Sequence, residues 1–127
     1  MAEHIAIVDD DESILRALSR LLKTYSFQVQ TYASGREFLD SLKAGTPDCL
    51  ILDLHMKHEM SGLEVLHRLA GLGFNIPTIV ATAQDEPGMG HRCELAGAVG
   101  FLVKPFSVES LLETIRSVTT SAQTISS

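Results

Sequence analysis

The chain has 127 residues, a length that suits a single domain with its own apolar core. Its formal net charge is -6 at pH 7, which disfavours direct binding to nucleic acid, because phosphate contacts need a basic surface. We expect neither a signal peptide nor a membrane span, and the two cysteines have no framework spacing, so a reducing, cytoplasmic setting fits best.

Short apolar runs alternate with stretches of helical periodicity along the chain. The runs predict strands over residues 4–8, 27–32, 49–52, 78–81 and 101–103, and the second alternates like a half-buried edge strand. Helical spacing follows each run, with Ser34 and Ser107 as predicted N-caps. Within the weak helix of residues 86–96, each of Gly88 and Gly90 costs about 0.5–1 kcal/mol, so that helix should start near Met89 or later.

Strand and helix alternate five times, which predicts an α/β domain. Continuous apolar strands separated by helices indicate a parallel sheet covered on both faces. We assign residues 1–120 to this domain and residues 121–127 to a polar tail or the start of a linker.

Reactive side chains follow four of the five predicted strands. Asp9 and Asp10 come directly after the first strand, Asp53 after the third, Thr82 after the fourth and Lys104 after the fifth. In a parallel sheet with right-handed crossovers the carboxyl ends of the strands lie at one edge, where ligands bind. We therefore expect these residues to meet there.

The chemistry of this set is complementary. Three carboxylates in one place repel one another unless a positive charge compensates. Mg²⁺ takes carboxylate, water and phosphate oxygens, and Lys104 adds a fixed charge for Asp53 or for a phosphoryl oxygen. Together with the Thr82 hydroxyl, the set favours phosphoryl transfer to Asp53.

Each of these residues also has a purely structural interpretation. Acids before a helix commonly serve as N-caps and first-turn charges. Thr82 alone could be a turn residue, and Lys104 alone a solvated loop lysine. The arrival of all of them at one edge, in this order, favours the functional interpretation.

The motifs at this edge resemble the receiver domain of bacterial two-component response regulators, over about residues 4–118. Regulators of nitrogen fixation and similar DNA-binding activators are the most similar group by the segment Pro87-Gly88-Met89. The resemblance implies a flavodoxin-like sheet in the order 2-1-3-4-5 with five helices on both faces, an order already known for chemotaxis-type receivers. The matching segments are Ile7-Val8-Asp9-Asp10-Asp11, Leu52-Asp53-Leu54-His55-Met56, Val80-Ala81-Thr82-Ala83, Ala96-Gly97-Ala98 and Phe101-Leu102-Val103-Lys104-Pro105-Phe106.

The resemblance assigns the acceptor and the metal ligands position by position. It implies that Asp53 is the phosphoacceptor and that Asp10 binds Mg²⁺ directly, with Asp9 helping through water. The backbone carbonyl of His55 would be a further contact to the metal, and Mg²⁺ is the one cofactor expected.

The resemblance also implies a switch and its partners. Thr82 and Lys104 would contact the phosphoryl group, Phe101 would change rotamer with Thr82, and the Lys104–Pro105 bond would be cis. A sensor histidine kinase would dock near the first helix. The surface of helix 4, strand 5 and helix 5 would contact an effector domain or a second copy. Such a domain catalyses its own phosphorylation and dephosphorylation and is not otherwise an enzyme.

The loop after Asp53 departs from the family pattern. That pattern reads Asp-x-x-Met-Pro-x-Met-x-Gly, whereas here Lys57 replaces the proline and one extra residue precedes Met60. We expect a longer and less rigid loop, which could bring Met60 or Glu59 over the pocket. We also expect phosphorylation to survive, and His55 with Gln84 to border the attacking water and tune hydrolysis.

Two other functions compete with the switch. A pseudo-receiver would use the same fold as an interaction module without phosphotransfer, and the altered loop is its support. A magnesium phosphohydrolase with an aspartyl nucleophile usually carries a second Asp two residues later, where this chain has His55.

Overall fold

In a computed structural model, residues 3–57, 60–84 and 86–126 are described, with side chains up to Thr119. Strands and helices alternate throughout. Their order is β1 (His4–Val8), α1 (Glu12–Thr24), β2 (Gln28–Tyr32), α2 (Gly35–Ser41), β3 (Cys49–Asp53), α3 (Gly62–Leu72), β4 (Thr78–Thr82), α4 (Met89–Leu95), β5 (Gly100–Val103) and α5 (Val108–Ser126).

The five strands form one parallel sheet in the order β2-β1-β3-β4-β5, which confirms the predicted fold. The sheet is covered on both faces because alternate strand residues enter two separate cores. Leu50 and Leu52 pack with α2, α3 and α4 on one face. Cys49 and Ile51 pack with α1 and α5 on the other. Every residue of β3 is buried, as befits the central strand.

Helix ends follow the local sequence. Ser34 accepts the Glu37 amide at 3.2 Å at the start of α2, and Ser107 accepts the Ser110 amide at 3.0 Å at the start of α5, as predicted. Helix α4 begins at Met89, also as predicted. Gly88 before it has φ 81°, which lies outside the helical region, so the helix cannot extend further back, and no side chain caps its start.

Helix α5 extends past the predicted domain boundary. Helix α5 continues to Ser126, so the backbone of residues 121–126, predicted as a polar tail, is helical. The domain boundary at residue 120 stays a prediction.

Two smaller points concern the cysteines and membranes. Cys49 and Cys93 are both buried and free, and burial raises the pKa of the Cys49 thiol to about 12, so it is inert. None of the described helices is long and apolar enough to cross a membrane.

Candidate phosphoryl-transfer site

The strand register places the reactive residues at one edge of the sheet. Val8 pairs with Leu52 across β1 and β3, so Asp9 follows β1 level with Asp53, the last residue of β3. Asp53 pairs with Ala81, and Thr82 pairs with Val103, so Lys104 follows directly. Parallel pairing thus brings together residues that are up to 95 positions apart.

Three carboxylates form the centre of this site. Asp9, Asp10 and Asp53 each offer an oxygen atom, and these atoms lie within 4.8 Å of one another. Asp9 and Asp53 are only 3% and 7% exposed, whereas Asp10 is half-buried. Such a set of oxygen donors fits a hard divalent cation such as Mg²⁺.

Asp11 and Glu12 belong to the helix rather than to this cluster. The Asp11 carboxylate accepts the Ser13 amide at 2.9 Å and the Ile14 amide at 3.4 Å, which makes it the N-cap of α1. Glu12 lies in the first helical turn, where a negative charge is favourable. The acidic run is therefore divided between capping and the site.

Lys104 provides the positive charge of the site. Its Nζ donates to Asp9 Oδ2 at 2.8 Å and to Asp53 Oδ1 at 3.3 Å. Its amide donates to the Thr82 carbonyl at 2.7 Å, and the following bond to Pro105 is cis. The ammonium therefore bridges the two buried carboxylates.

The buried charges shift the pKa of both partners. Burial, followed by the charge of Asp9, raises the pKa of Asp53 from 3.8 to about 6, although Lys104 acts in the opposite direction. Burial alone would lower the pKa of Lys104, but its hydrogen bond to Asp9 and the charge of Asp53 prevail and raise it. Asp53 is thus a carboxylate that stays ionised at neutral pH and is poorly stabilised by its surroundings.

The loop after β3 approaches the backbone of Asp53 closely at its far end. A Cβ at Gly62 would lie 2.4 Å from the Asp53 carbonyl oxygen and 2.8 Å from Leu54 Cα. The Gly62 amide donates to the Leu54 carbonyl at 2.9 Å. Only glycine fits here without movement of the backbone that carries Asp53.

The extra residue in this loop does not place Met60 over the pocket. Met60 is 5% exposed and belongs to the core on the α2 and α3 face, where its sulfur would lie 3.4 Å from a Cβ at Gly35. That expectation is wrong because the apolar side chain gains more from burial than from the polar pocket mouth. Glu59, the other residue considered, lies outside the described residues.

Two predicted site residues make local contacts. The buried Thr82 hydroxyl donates to the Gln84 carbonyl at 3.0 Å and accepts the Gln84 amide at 3.1 Å. His55 is exposed, and its Nε2 lies 3.6 Å from Glu86 Oε1, which connects the loops after β3 and β4.

Phe101 lies at the start of β5 against the beginning of α4. It is half-buried, and its ring is 3.9 Å from a Cβ built at Gly90. A hollow of about 380 Å³ lies beside it and is lined by Cys93, Ala98 and Val99 among others. The small residue at position 90 therefore leaves room next to the ring.

One contact of the site was not anticipated from the sequence. The Lys57 amide donates to Asp10 Oδ2 at 2.8 Å, across 47 positions. The replacement of proline by Lys57 signalled a difference here, since proline has no N–H to donate. The sequence pattern, however, predicted only a less rigid loop and did not indicate that Asp10 accepts this hydrogen bond.

The comparisons with known proteins agree with this geometry. Residues 5–116 match the family described as Response regulator receiver domain. TmoT, a response regulator protein of Ectopseudomonas mendocina, is 42% identical over 112 residues, which are 88% of this chain and 50% of that protein. The chain thus spans about half the length of the curated relatives it matches.

Solved structures give the same result. A response regulator receiver protein from Burkholderia phymatum is 40% identical, with a TM-score of 0.81 over 93% of this chain and 95% of that one. The structure named FixJ-N is 33% identical, with a TM-score of 0.86 over 94% of this chain and 95% of that one. The predicted similarity to nitrogen-fixation-type regulators agrees with the FixJ-N match.

Proposed function

The chain belongs to the response regulator receiver domain family, and on that premise we propose that Asp53 accepts a phosphoryl group from the phosphohistidine of a sensor histidine kinase. One observation carries the proposal. A nearly buried carboxylate at the end of the central strand is surrounded by Asp9, Asp10 and the Lys104 ammonium. No helix cap or turn needs such an arrangement.

The reaction forms one bond and breaks another. An oxygen of Asp53 attacks phosphorus, the bond between phosphorus and the kinase imidazole breaks, and the imidazole nitrogen keeps the electron pair. An imidazole that is protonated on its other nitrogen leaves as the neutral base, so no further proton is needed. A pKa of about 6 leaves Asp53 mainly ionised at neutral pH and therefore nucleophilic.

The remaining side chains hold the charges of this reaction. Asp9, Asp10 and Asp53, with the His55 carbonyl, would hold Mg²⁺, which when bound supplies neutralisation of the phosphoryl charge. Lys104 turns from Asp53 to a phosphoryl oxygen, because the phosphoryl group is the stronger hydrogen-bond acceptor.

The switch uses Thr82 and Phe101. The Thr82 hydroxyl exchanges the Gln84 carbonyl for a phosphoryl oxygen. The ring of Phe101 then moves into the space that Thr82 vacates. This changes the surface formed by α4, β5 and α5, so a local charge event biases two conformations of the domain.

The altered surface is where the output is read. Leu95 at the end of α4 and Val99 just before β5 are 75% and 59% exposed, which suits contact with an effector domain or a second copy of the chain. This domain does not itself bind DNA, since its net charge is -6. The pathway operates in the cytoplasm, in keeping with two free, buried thiols.

The test is adduct formation. Incubation with Mg²⁺ and acetyl phosphate should raise the intact mass by one phosphoryl group, and beryllofluoride should bind the same site. Asp53→Asn should abolish both, whereas Asp40→Asn, at an exposed position in α2, should change neither. Absence of an adduct in the wild-type protein at saturating Mg²⁺ would favour an interaction module without phosphotransfer. Steady phosphate release from generic esters would favour a phosphohydrolase.

A further inference from the structure

The backbone amide of Lys57 joins two loops of the site. We propose that it is a positioning group: it orients the Asp10 carboxylate for the cation and fixes the segment that carries the His55 carbonyl. This inference rests on the proposed metal site. Its basis is the 2.8 Å hydrogen bond from the Lys57 amide to Asp10 Oδ2.

Asp10 needs this support more than the other two carboxylates do. Asp9 is buried and is held by the Asp11 amide at 2.9 Å and by Lys104 at 2.8 Å. Asp53 is buried and contacts Lys104 at 3.3 Å. Asp10 is half-exposed, and within the described part of the chain its carboxylate accepts a hydrogen bond only from Lys57. Without that bond its side chain would be free to rotate in solvent.

The same bond fixes the first part of the loop after β3. The Leu54 amide donates to the Ala81 carbonyl at 2.9 Å, and the Leu54 carbonyl accepts the Gly62 amide at 2.9 Å. Lys57 provides the next attachment, three residues further on. His55 lies between these two attachments. Its carbonyl therefore belongs to a short segment that is held at both ends.

The expected consequence is a higher affinity for the cation. A carboxylate that is already oriented loses less conformational freedom when it binds. Groups that support metal ligands in this way typically change metal affinity by about 10- to 100-fold when they are removed. The Lys57 side chain is exposed and is not part of the argument.

Three substitutions separate the amide from the other properties of residue 57. Lys57→Pro removes the N–H and stiffens the backbone. Lys57→Ala keeps the N–H and removes the charge. Lys57→Gly keeps the N–H and loosens the backbone. The last variant is the matched control, because it changes rigidity in the opposite direction to proline.

The first measurement is the dissociation constant of Mg²⁺ alone, by titration calorimetry. Lys57→Pro should weaken binding about 10- to 100-fold, while Lys57→Ala and Lys57→Gly should stay within about threefold of the wild-type protein. If Lys57→Pro binds Mg²⁺ as tightly as the wild-type protein, the role of the Lys57 amide is overturned but the metal site is not. The same holds if Lys57→Gly loses as much Mg²⁺ affinity as Lys57→Pro. A wild-type protein that does not bind Mg²⁺ would overturn the proposed metal site itself.

The second measurement needs neither Mg²⁺ nor the proline variant. Hydrogen exchange of the Lys57 amide, followed by NMR in the wild-type protein, should be slowed at least about tenfold relative to an open loop. Asp10→Ala should remove this protection, and Asp40→Ala, at the exposed position in α2, should preserve it. Fast exchange in the wild-type protein would overturn the inference.

Discussion

The charge of Asp53 has a cost in the metal-free protein that a single substitution should reveal. Asp53 is 7% exposed, and burial with the neighbouring charge of Asp9 raises its pKa from 3.8 to about 6. We expect Asp53→Asn, which keeps the shape of the side chain and removes the charge, to stabilise the domain at pH 7.5.

The magnitude follows from the difference between the two pKa values. Raising the pKa from 3.8 to about 6 corresponds to about 3 kcal/mol of unfavourable free energy for the ionised folded state. This value already includes the favourable charge and hydrogen bond of Lys104, both of which lower the pKa. We therefore expect Asp53→Asn to raise the free energy of unfolding by about 1–3 kcal/mol at pH 7.5.

The raised pKa of Asp53 also predicts how the free energy of unfolding changes with pH. Because the pKa of Asp53 is higher in the folded state, the folded state holds the proton more tightly than the unfolded state does. The favourable contribution of this protonation to the free energy of unfolding is complete below pH 3.8. The contribution is lost as the pH rises through about 6. The difference between Asp53→Asn and the wild-type protein should therefore be small at the acid end and grow to a plateau above pH 6.

Urea unfolding in the presence of a chelator, followed by circular dichroism at several pH values, measures this difference. Asp40→Asn, at an exposed position, controls for the replacement of Asp by Asn. The reasoning is refuted if Asp53→Asn is no more stable than the wild-type protein at pH 7.5. It is also refuted if the gain has the same size at both ends of the pH range.

Two further substitutions test the loop after β3 and the surface of α1. Gly62→Ala should destabilise the domain by about 2–3 kcal/mol, because the added Cβ would collide with backbone atoms. Gly71→Ala in the same helix should stabilise the domain, because its Cβ would meet nothing within 4 Å. Equal midpoints of urea unfolding for the two variants would contradict this. Arg16 and Arg20 are exposed beside a hollow of about 310 Å³, so reversing both charges should slow transfer from a phosphorylated sensor kinase about tenfold, and more at low salt. The rate with acetyl phosphate should stay within about twofold, and equal loss with both donors would exclude a docking role.

Much of the fold could be predicted because strand periodicity and topology are strong signals. Five apolar runs at regular spacing leave few arrangements other than a parallel sheet, and that sheet alone brings Asp9, Asp53 and Lys104 to one edge. The start of α4 at Met89 was predictable for a similar reason, since glycine has a definite backbone preference.

The remainder depended on contacts that no local pattern encodes. The Lys57 amide meets Asp10 because two loops close over each other, and the sequence does not state the path of either loop. The Thr82 hydroxyl has a choice of acceptors, and its local bond to Gln84 is decided by the turn after β4. Met60 could lie over the pocket or in the core, and only the packing of the core beside α2 and α3 shows that it is buried.

The bridge that Lys104 makes between Asp9 and Asp53 gives the domain an internal counterion that is part of the chain itself. One of the two buried negative charges is thereby balanced within the chain, and the other is left for the metal. We therefore expect the domain to fold without added Mg²⁺, and a bound cation would stabilise the folded state further. Formation of the fold would then not require the cation, whereas the proposed phosphoryl transfer would.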